Sequence, residues 1–358
     1  MYSQIARNRT KNKTTNKTIS RLHPLIIVIS LYITSFSTYA LDWSISEQAI
    51  SARHESGLVA VGNKMYLIGG RGDKPLEIFD TGSATWSVAK AKNPMELHHF
   101  QALSIVDKIY IMGAFTGGFP DETPIPKVLI FDTQTNTWQT GATIPKKRQR
   151  GAASLAIYQD HIYMVGGSTQ GHLGGFTKWF DRFNPVTKEF TGLPDAPHSR
   201  DHAQAAVVGD YLYHFGGRQT SHATGDIFNL TVAEVDRFNF KTQTWETLPN
   251  SANLPTPRAG GNTAVVGDFI LYIGGESAVQ KLAHNEVEAF NTKTLTWHTL
   301  PSLNTGRHSG GATIVSDALY AVTGSGNRGG RPELPNHEMI PLSKVKSLLQ
   351  DISLSKSE

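Results

Sequence analysis

The chain has 358 residues, with 34 Lys+Arg against 30 Asp+Glu and no cysteine. Six of the basic residues and no acid fall in the first 40 positions, so the remainder holds 28 Lys+Arg against 30 Asp+Glu and is near neutral. That excludes a basic nucleic-acid footprint. The missing cysteine excludes disulfides, a lipidated cysteine anchor, thiolate metal sites and a cysteine nucleophile.

At the N-terminus, Arg7, Arg9, Lys11, Lys13, Lys17 and Arg21 precede an apolar run from Leu25 to Phe36 and a small-residue end at Thr38-Tyr39-Ala40. This is the order of a secretory signal over residues 1–40. The run is short of the roughly 20 apolar residues a membrane span needs. The expected location is periplasmic or secreted, with no stable membrane insertion after cleavage; a retained N-terminal anchor is the alternative.

From residue 41 onward a repeat dominates. The segments KMYLIGG, KIYIMGA, HIYMVGG, YLYHFGG, FILYIGG and ALYAVTG place the first residue of a terminal pair at Gly69, Gly113, Gly166, Gly216, Gly274 and Thr323, in steps of 44, 53, 50, 58 and 49 residues. An aromatic residue keeps the same beat downstream, at Trp86, Trp138, Phe190, Trp245 and Trp297. Small apolar strands such as GLVAV and AQAAVV precede each pair, and an alternating strand such as EVEAF follows it. Period-two patterning with dense turn signals predicts four short strands per unit. Units that cannot bury their faces alone must stack, and six around an axis make an all-β, six-bladed β-propeller over residues 41–341.

The sixth unit lacks its outer strand. Asp42-Trp43-Ser44-Ile45 is the expected replacement, closing the last blade with the N-terminal strand. In the tail, residues 342–358, Val345, Leu348, Leu349 and Ile352 fall at helical spacing within Ser343–Ser353 and predict a short amphipathic helix.

The glycine pair with a downstream tryptophan resembles the kelch repeat. The departures are Ala114, Thr323 and Phe190. In size, signal and blade count the chain is also similar to exported bacterial kelch proteins of the sialate mutarotase, or N-acetylneuraminate epimerase-like, kind. That resemblance implies a cofactor-free sugar mutarotase or epimerase as one possible activity. A kelch propeller of the copper galactose oxidase kind is excluded, because its cofactor needs a tyrosine–cysteine crosslink.

Long connections between the second and third strands, such as Phe115–Pro126, Arg218–Val232 and Ser325–Asn336, place the binding face. Aligning the blades on their glycine pairs puts Arg53, Arg150, Arg200, Arg258 and Arg307 at one position before the inner strand, with Leu97 as the exception. His54, His98, His99, His202 and His308 follow. The candidate ligand-binding set is therefore Arg53, Arg150, Arg200, Arg258, Arg307, His54, His202 and His308, an anion-binding mouth. The alternative for the arginines is scaffold, bonding loop carbonyls. Further polar residues on or beside the long loops include His172, His222, Glu122, Glu276, Arg328, Arg331, Glu333 and Glu338.

The leading expectation is a binding module for a protein or an acidic glycan at the long-loop face. The alternative is a sugar mutarotase, for which Glu55, His202 and the arginines are acid–base candidates; no catalytic residue is assigned. A third reading, an assembly scaffold, would need an apolar patch built from Phe115, Phe119, Phe176 and Phe228. No carboxylate stands at ligand spacing beside His98, His99 or His202, so neither metal nor cofactor is expected. N-terminal sequencing of the exported protein should begin at Leu41; an intact Met1 on mature protein would contradict cleavage.

Overall fold

The computed structural model describes residues 43–354 except 47 and 49. The predicted signal segment and Asp42 lie outside the described residues.

Six antiparallel four-stranded sheets form the six blades of a propeller. The first five run through residues 56–88, 103–143, 154–193, 204–247 and 262–300. The sixth is built from Gly311–Val315, Ala318–Val322 and His337–Pro341, and its fourth strand is the N-terminal Ser44–Ser46. Ser44 pairs with Met339, Ile45 with Glu338 and Ser46 with His337. The N-terminal segment thus closes the ring, with the strand shifted slightly downstream of the expected residues. Trp43 lies just before it, is only 4% exposed, and donates its indole N–H to the Pro301 carbonyl at 3.0 Å.

The two repeating sequence markers have separate jobs. Each downstream aromatic sits opposite a phenylalanine of the third strand: Phe79 with Trp86, Phe131 with Trp138, Phe183 with Phe190, Phe238 with Trp245 and Phe290 with Trp297. Their ring centroids lie 4.7–5.2 Å apart, so each pair anchors the outer two strands of its blade. The glycine pair makes the joint between blades. At Gly274 φ is +65°, and an added Cβ would stand 2.2 Å from the Arg307 carbonyl oxygen of the next blade. Thr323 takes the same left-handed conformation, with φ +52°, where the pattern departs from glycine.

Leu342–Leu354 is an α-helix with Val345 and Leu349 buried. They pack in one apolar cluster with Trp43, Leu300, Leu303 and Ile340, while Leu348 and Ile352 cover its edge. Trp43 and the helix therefore share a core at the closing blade. Trp43→Ala should destabilise by about 3–5 kcal/mol, read as a lower midpoint in chemical denaturation; an unchanged midpoint would contradict a structural closure through this residue.

Candidate functional site

The five blade-equivalent arginines are fully buried. Each donates from its guanidinium to the carbonyl of the residue opening its own pair: Arg53 to Gly69, Arg150 to Gly166, Arg200 to Gly216, Arg258 to Gly274 and Arg307 to Thr323, at 2.6–3.1 Å. Each also pairs with a third-strand acid: Glu77, Asp181, Asp236, Glu288 and Glu338 respectively. The blade without the arginine, with Leu97 in its place, also lacks the acid. Leu129 occupies the equivalent strand position, and both leucines are buried in one cluster. The two residue types change together, as they must if they serve each other. The expectation of an arginine-lined mouth is corrected accordingly: Arg53, Arg150, Arg200, Arg258 and Arg307 are buried and clamp the second strand to the third inside each blade.

The residue two positions beyond each arginine, and beyond Leu97 in the second blade, builds the mouth instead. Glu55, His99, Ala152, His202, Gly260 and Ser309 all have φ between +50° and +62°. Each donates its backbone N–H to the carbonyl of the equivalent residue in the preceding blade, and Glu55 donates to Ser309, closing a ring of six hydrogen bonds. Glu55, His99 and His202 carry ionisable side chains on this ring, and all three are buried.

A second layer comes from the residue immediately after the glycine pair. Arg71, Arg218 and Glu276 take that position in three blades and line a basin of about 800 Å³ on the long-loop face. His54, His172, His308, Lys74, Phe119, Phe228, Arg328, Arg331 and Glu333 complete most of its wall. Five cationic side chains therefore face three carboxylates, those of Glu55, Glu276 and Glu333. Of the predicted set, His54, His202 and His308 do gather at this end of the axis. His54 Nδ1 lies 2.7 Å from Glu333, and His202 Nδ1 lies 2.6 Å from Asp201. His308 Nε2 lies 3.1 Å from the Gly329 carbonyl.

The electrostatics are tightly organised. Arg218 is buried, donates to Glu276 at 2.6 Å and to Thr220 at 2.8 Å, and lies over the Phe228 ring. Burial alone would raise the Glu276 carboxyl, but His308, Arg218 and the Gly329 N–H hold it down at about 2. Glu122, bonded to His172 and Arg71, is likewise held at about 2 against its desolvation. Arg331 makes no ion pair among the described residues, and the Arg328 guanidinium donates to the Ala278 carbonyl while lying over Phe228. The apolar-patch reading is not supported by the side chains: Phe115 is fully buried, and Phe119, 52% exposed, packs against His172 and His222.

A profile of the Attractin/LZTR1 beta-propeller matches residues 28–229, more than half the chain, and one of the KLHDC2/KLHL20/DRC7 Kelch-repeats domain matches residues 180–324. The chain belongs to the kelch-repeat β-propeller family. Kelch-like protein terF of Aspergillus terreus is 26% identical over 290 residues, 76% of this chain and 61% of that protein. Acyl-CoA-binding domain-containing protein 4 of Arabidopsis thaliana is 26% identical over 79% of this chain and 42% of its own length. This kelch chain thus spans less than two thirds of either relative. N-(sulfonatooxy)prop-2-enimidothioate sulfolyase of Thlaspi arvense is 24% identical over 70% of this chain and 80% of that enzyme. Among solved structures, that of YjhT superposes with a TM-score of 0.67 at 15% identity, covering 81% of this chain and 95% of that one. At that identity the likeness is one of fold.

The kelch arginine is therefore a joint whose removal takes the arginine partner from a buried acid, leaving Asp236 with only His198 and Thr247. Arg200→Ala should cost about 3–5 kcal/mol. The double variant Arg200→Leu with Asp236→Leu, which copies the natural leucines of the second blade, should recover most of that loss in thermal denaturation. A double variant no more stable than the single one would contradict the clamp.

Proposed function

We propose that this protein binds a small acidic carbohydrate in the basin on its long-loop face. The observation that carries the reading is the excess of cations around a concave, partly enclosed site, with Arg331 and Arg328 free of acidic partners. A planar guanidinium matches a carboxylate through two parallel hydrogen bonds, and a walled site raises the strength of each contact above its value on open surface. Phe119 and Phe228 offer apolar faces beside the cations, suited to the C–H face of a pyranose. The name of the Thlaspi arvense relative describes action on a sulfonatooxy-bearing, hence anionic, substrate, in keeping with an anion at this kind of mouth. A large protein partner is less favoured, because the recognition groups stand on the walls and floor of a cavity rather than on a flat rim. The N-terminal composition supports action after export.

A second reading, mutarotation of the bound sugar, is favoured by one observation. Glu55 and His202 are buried ionisable groups on the floor ring, which simple binding does not require. Opening a pyranose needs one group to take the anomeric hydroxyl proton and another to give a proton to the ring oxygen, and His202, whose Nδ1 is held by Asp201, presents an unpartnered Nε2 suited to the first role.

Titration calorimetry with a panel of sugar acids and their neutral counterparts tests the binding reading. Binding should be selective for the acids and should weaken with salt. Arg331→Ala should raise Kd about tenfold, or ~1.4 kcal/mol, while the Arg200→Leu, Asp236→Leu variant should bind normally. Equal affinity for acidic and neutral sugars, or an Arg331→Ala variant that binds like the parent, would overturn it.

A further inference from the structure

Three histidines from three blades converge near the axis, His172 lining the basin and His99 and His202 lining the narrower cavity that shares Glu55 with it. His99 and His202 belong to the backbone ring, and His172 comes from the long loop of the third blade. One ring nitrogen from each lies within 4.8 Å of the other two. The rings stand edge to face, with centroids 5.0, 4.9 and 5.2 Å apart. No short sequence spacing connects them, so the fold alone assembles this group.

Their hydrogen-bond partners fix which nitrogens carry protons. His172 Nδ1 is 2.8 Å from the Glu122 carboxylate, and His202 Nδ1 is 2.6 Å from the Asp201 carboxylate. A carboxylate accepts, so both Nδ1 atoms donate and both neutral rings present Nε2 as a lone pair. His98 Nε2 lies 2.9 Å from the Gly117 carbonyl and must donate to it. His98 Nδ1 then accepts from His99 Nδ1, 2.6 Å away, which leaves the His99 Nε2 lone pair unprotonated as well.

The result is a group of acceptors without a donor. His202 Nε2 is buried and has no hydrogen-bond partner, and the same holds for His99 Nε2. His99 Nε2 also stands 2.9 Å from a Glu55 carboxylate oxygen. A proton would relieve one of these lone pairs. A water molecule, with two protons, would relieve two. A metal ion relieves all three and also compensates the Glu55 carboxylate.

We propose that the Nε2 atoms of His99, His172 and His202 bind one divalent transition-metal ion, with Glu55 beside it as the compensating carboxylate. The donor set selects for zinc, cobalt, nickel, copper or ferrous iron over calcium and magnesium, which prefer oxygen. Zinc–nitrogen bonds of about 2.0–2.1 Å put tetrahedral ligands roughly 3.4 Å apart, so the three rings draw inward around the ion. Asp201 and Glu122 orient two of the ligands from behind, the arrangement that sets ring tautomer and raises imidazole basicity at metal sites. Three protein ligands leave a position open toward the basin. This departs from the metal-free expectation read along the sequence.

The test uses the full exported protein, free of affinity tag and stripped with chelator, in the absence of any sugar. Titration with Co2+, followed by calorimetry and visible absorption, should give one ion per chain with a low-symmetry, four-coordinate spectrum. Zn2+ should displace it, and Mg2+ and Ca2+ should not. His202→Ala should abolish stoichiometric binding. Asp201→Asn and Glu122→Gln, which keep the ligands but weaken their orientation, should lower affinity about 10–100-fold with circular dichroism unchanged. If His202→Ala does not fold, the parent and the two orienting variants decide the matter. No stoichiometric binding of Co2+ or Zn2+ by the parent, or affinity unchanged in both orienting variants, would overturn the proposal. Since the readout is the ion alone, that failure would leave the sugar-acid reading standing.

Discussion

Six backbone hydrogen bonds run head to tail around the propeller axis, from Glu55 to Ser309 and onward through Gly260, His202, Ala152 and His99 back to Glu55. The ring works only if every blade delivers its residue in the left-handed conformation. Five of the six are not glycine, and each accepts a backbone state disfavoured by roughly 1–2 kcal/mol. The cost is offset by bonds between blades and by the packing of the sheets. Because the ring is cyclic, it depends on the last blade meeting the first. The N-terminal strand at Ser44–Ser46 completes that last blade, so fold closure and the shape of the mouth are one constraint.

The same geometry explains a division of labour among neighbouring residues. In Arg200-Asp201-His202, the arginine turns into its blade to hold Gly216 and Asp236. The aspartate orients the histidine, which sits on the ring. Three consecutive residues thus serve scaffold, support and mouth. The second strand layer follows suit: Arg218 and Glu276, each directly after a glycine pair, face the basin and each other. Charged groups so closely held have little freedom to rearrange, which suits a site that recognises a ligand by fixed geometry.

Blade number, strand order and N-terminal closure were legible in the sequence because glycine pairs and aromatics report local backbone needs that recur at every repeat. The site was legible only in part. Blade alignment points to the segment before the inner strand, which carries His54, His202 and His308. It misplaced the arginines, since a repeated arginine marks a repeated structural need. The signal against them was present: Glu77, Asp181, Asp236, Glu288 and Glu338 recur in the third strand, and both partners vanish where Leu97 and Leu129 appear. A site needs what differs between blades, as at Arg71, Phe115, Ser168, Arg218, Glu276 and Ser325. The meeting of His172 with His99 and His202 had no sequence signal, because it depends on where a long loop folds back over the axis.

We propose that ligand recognition lies on the axis-proximal walls of the long-loop basin, not on the buried blade arginines. A crystal structure of the protein with an acidic monosaccharide measures this most directly. The carboxylate should lie within hydrogen-bonding distance of Arg71, Arg218, Arg328 or Arg331, with the sugar ring over the floor formed by Glu55, His99 and His202. A sugar bound at the opposite face, or one contacting none of these side chains at saturating concentration, would contradict the account.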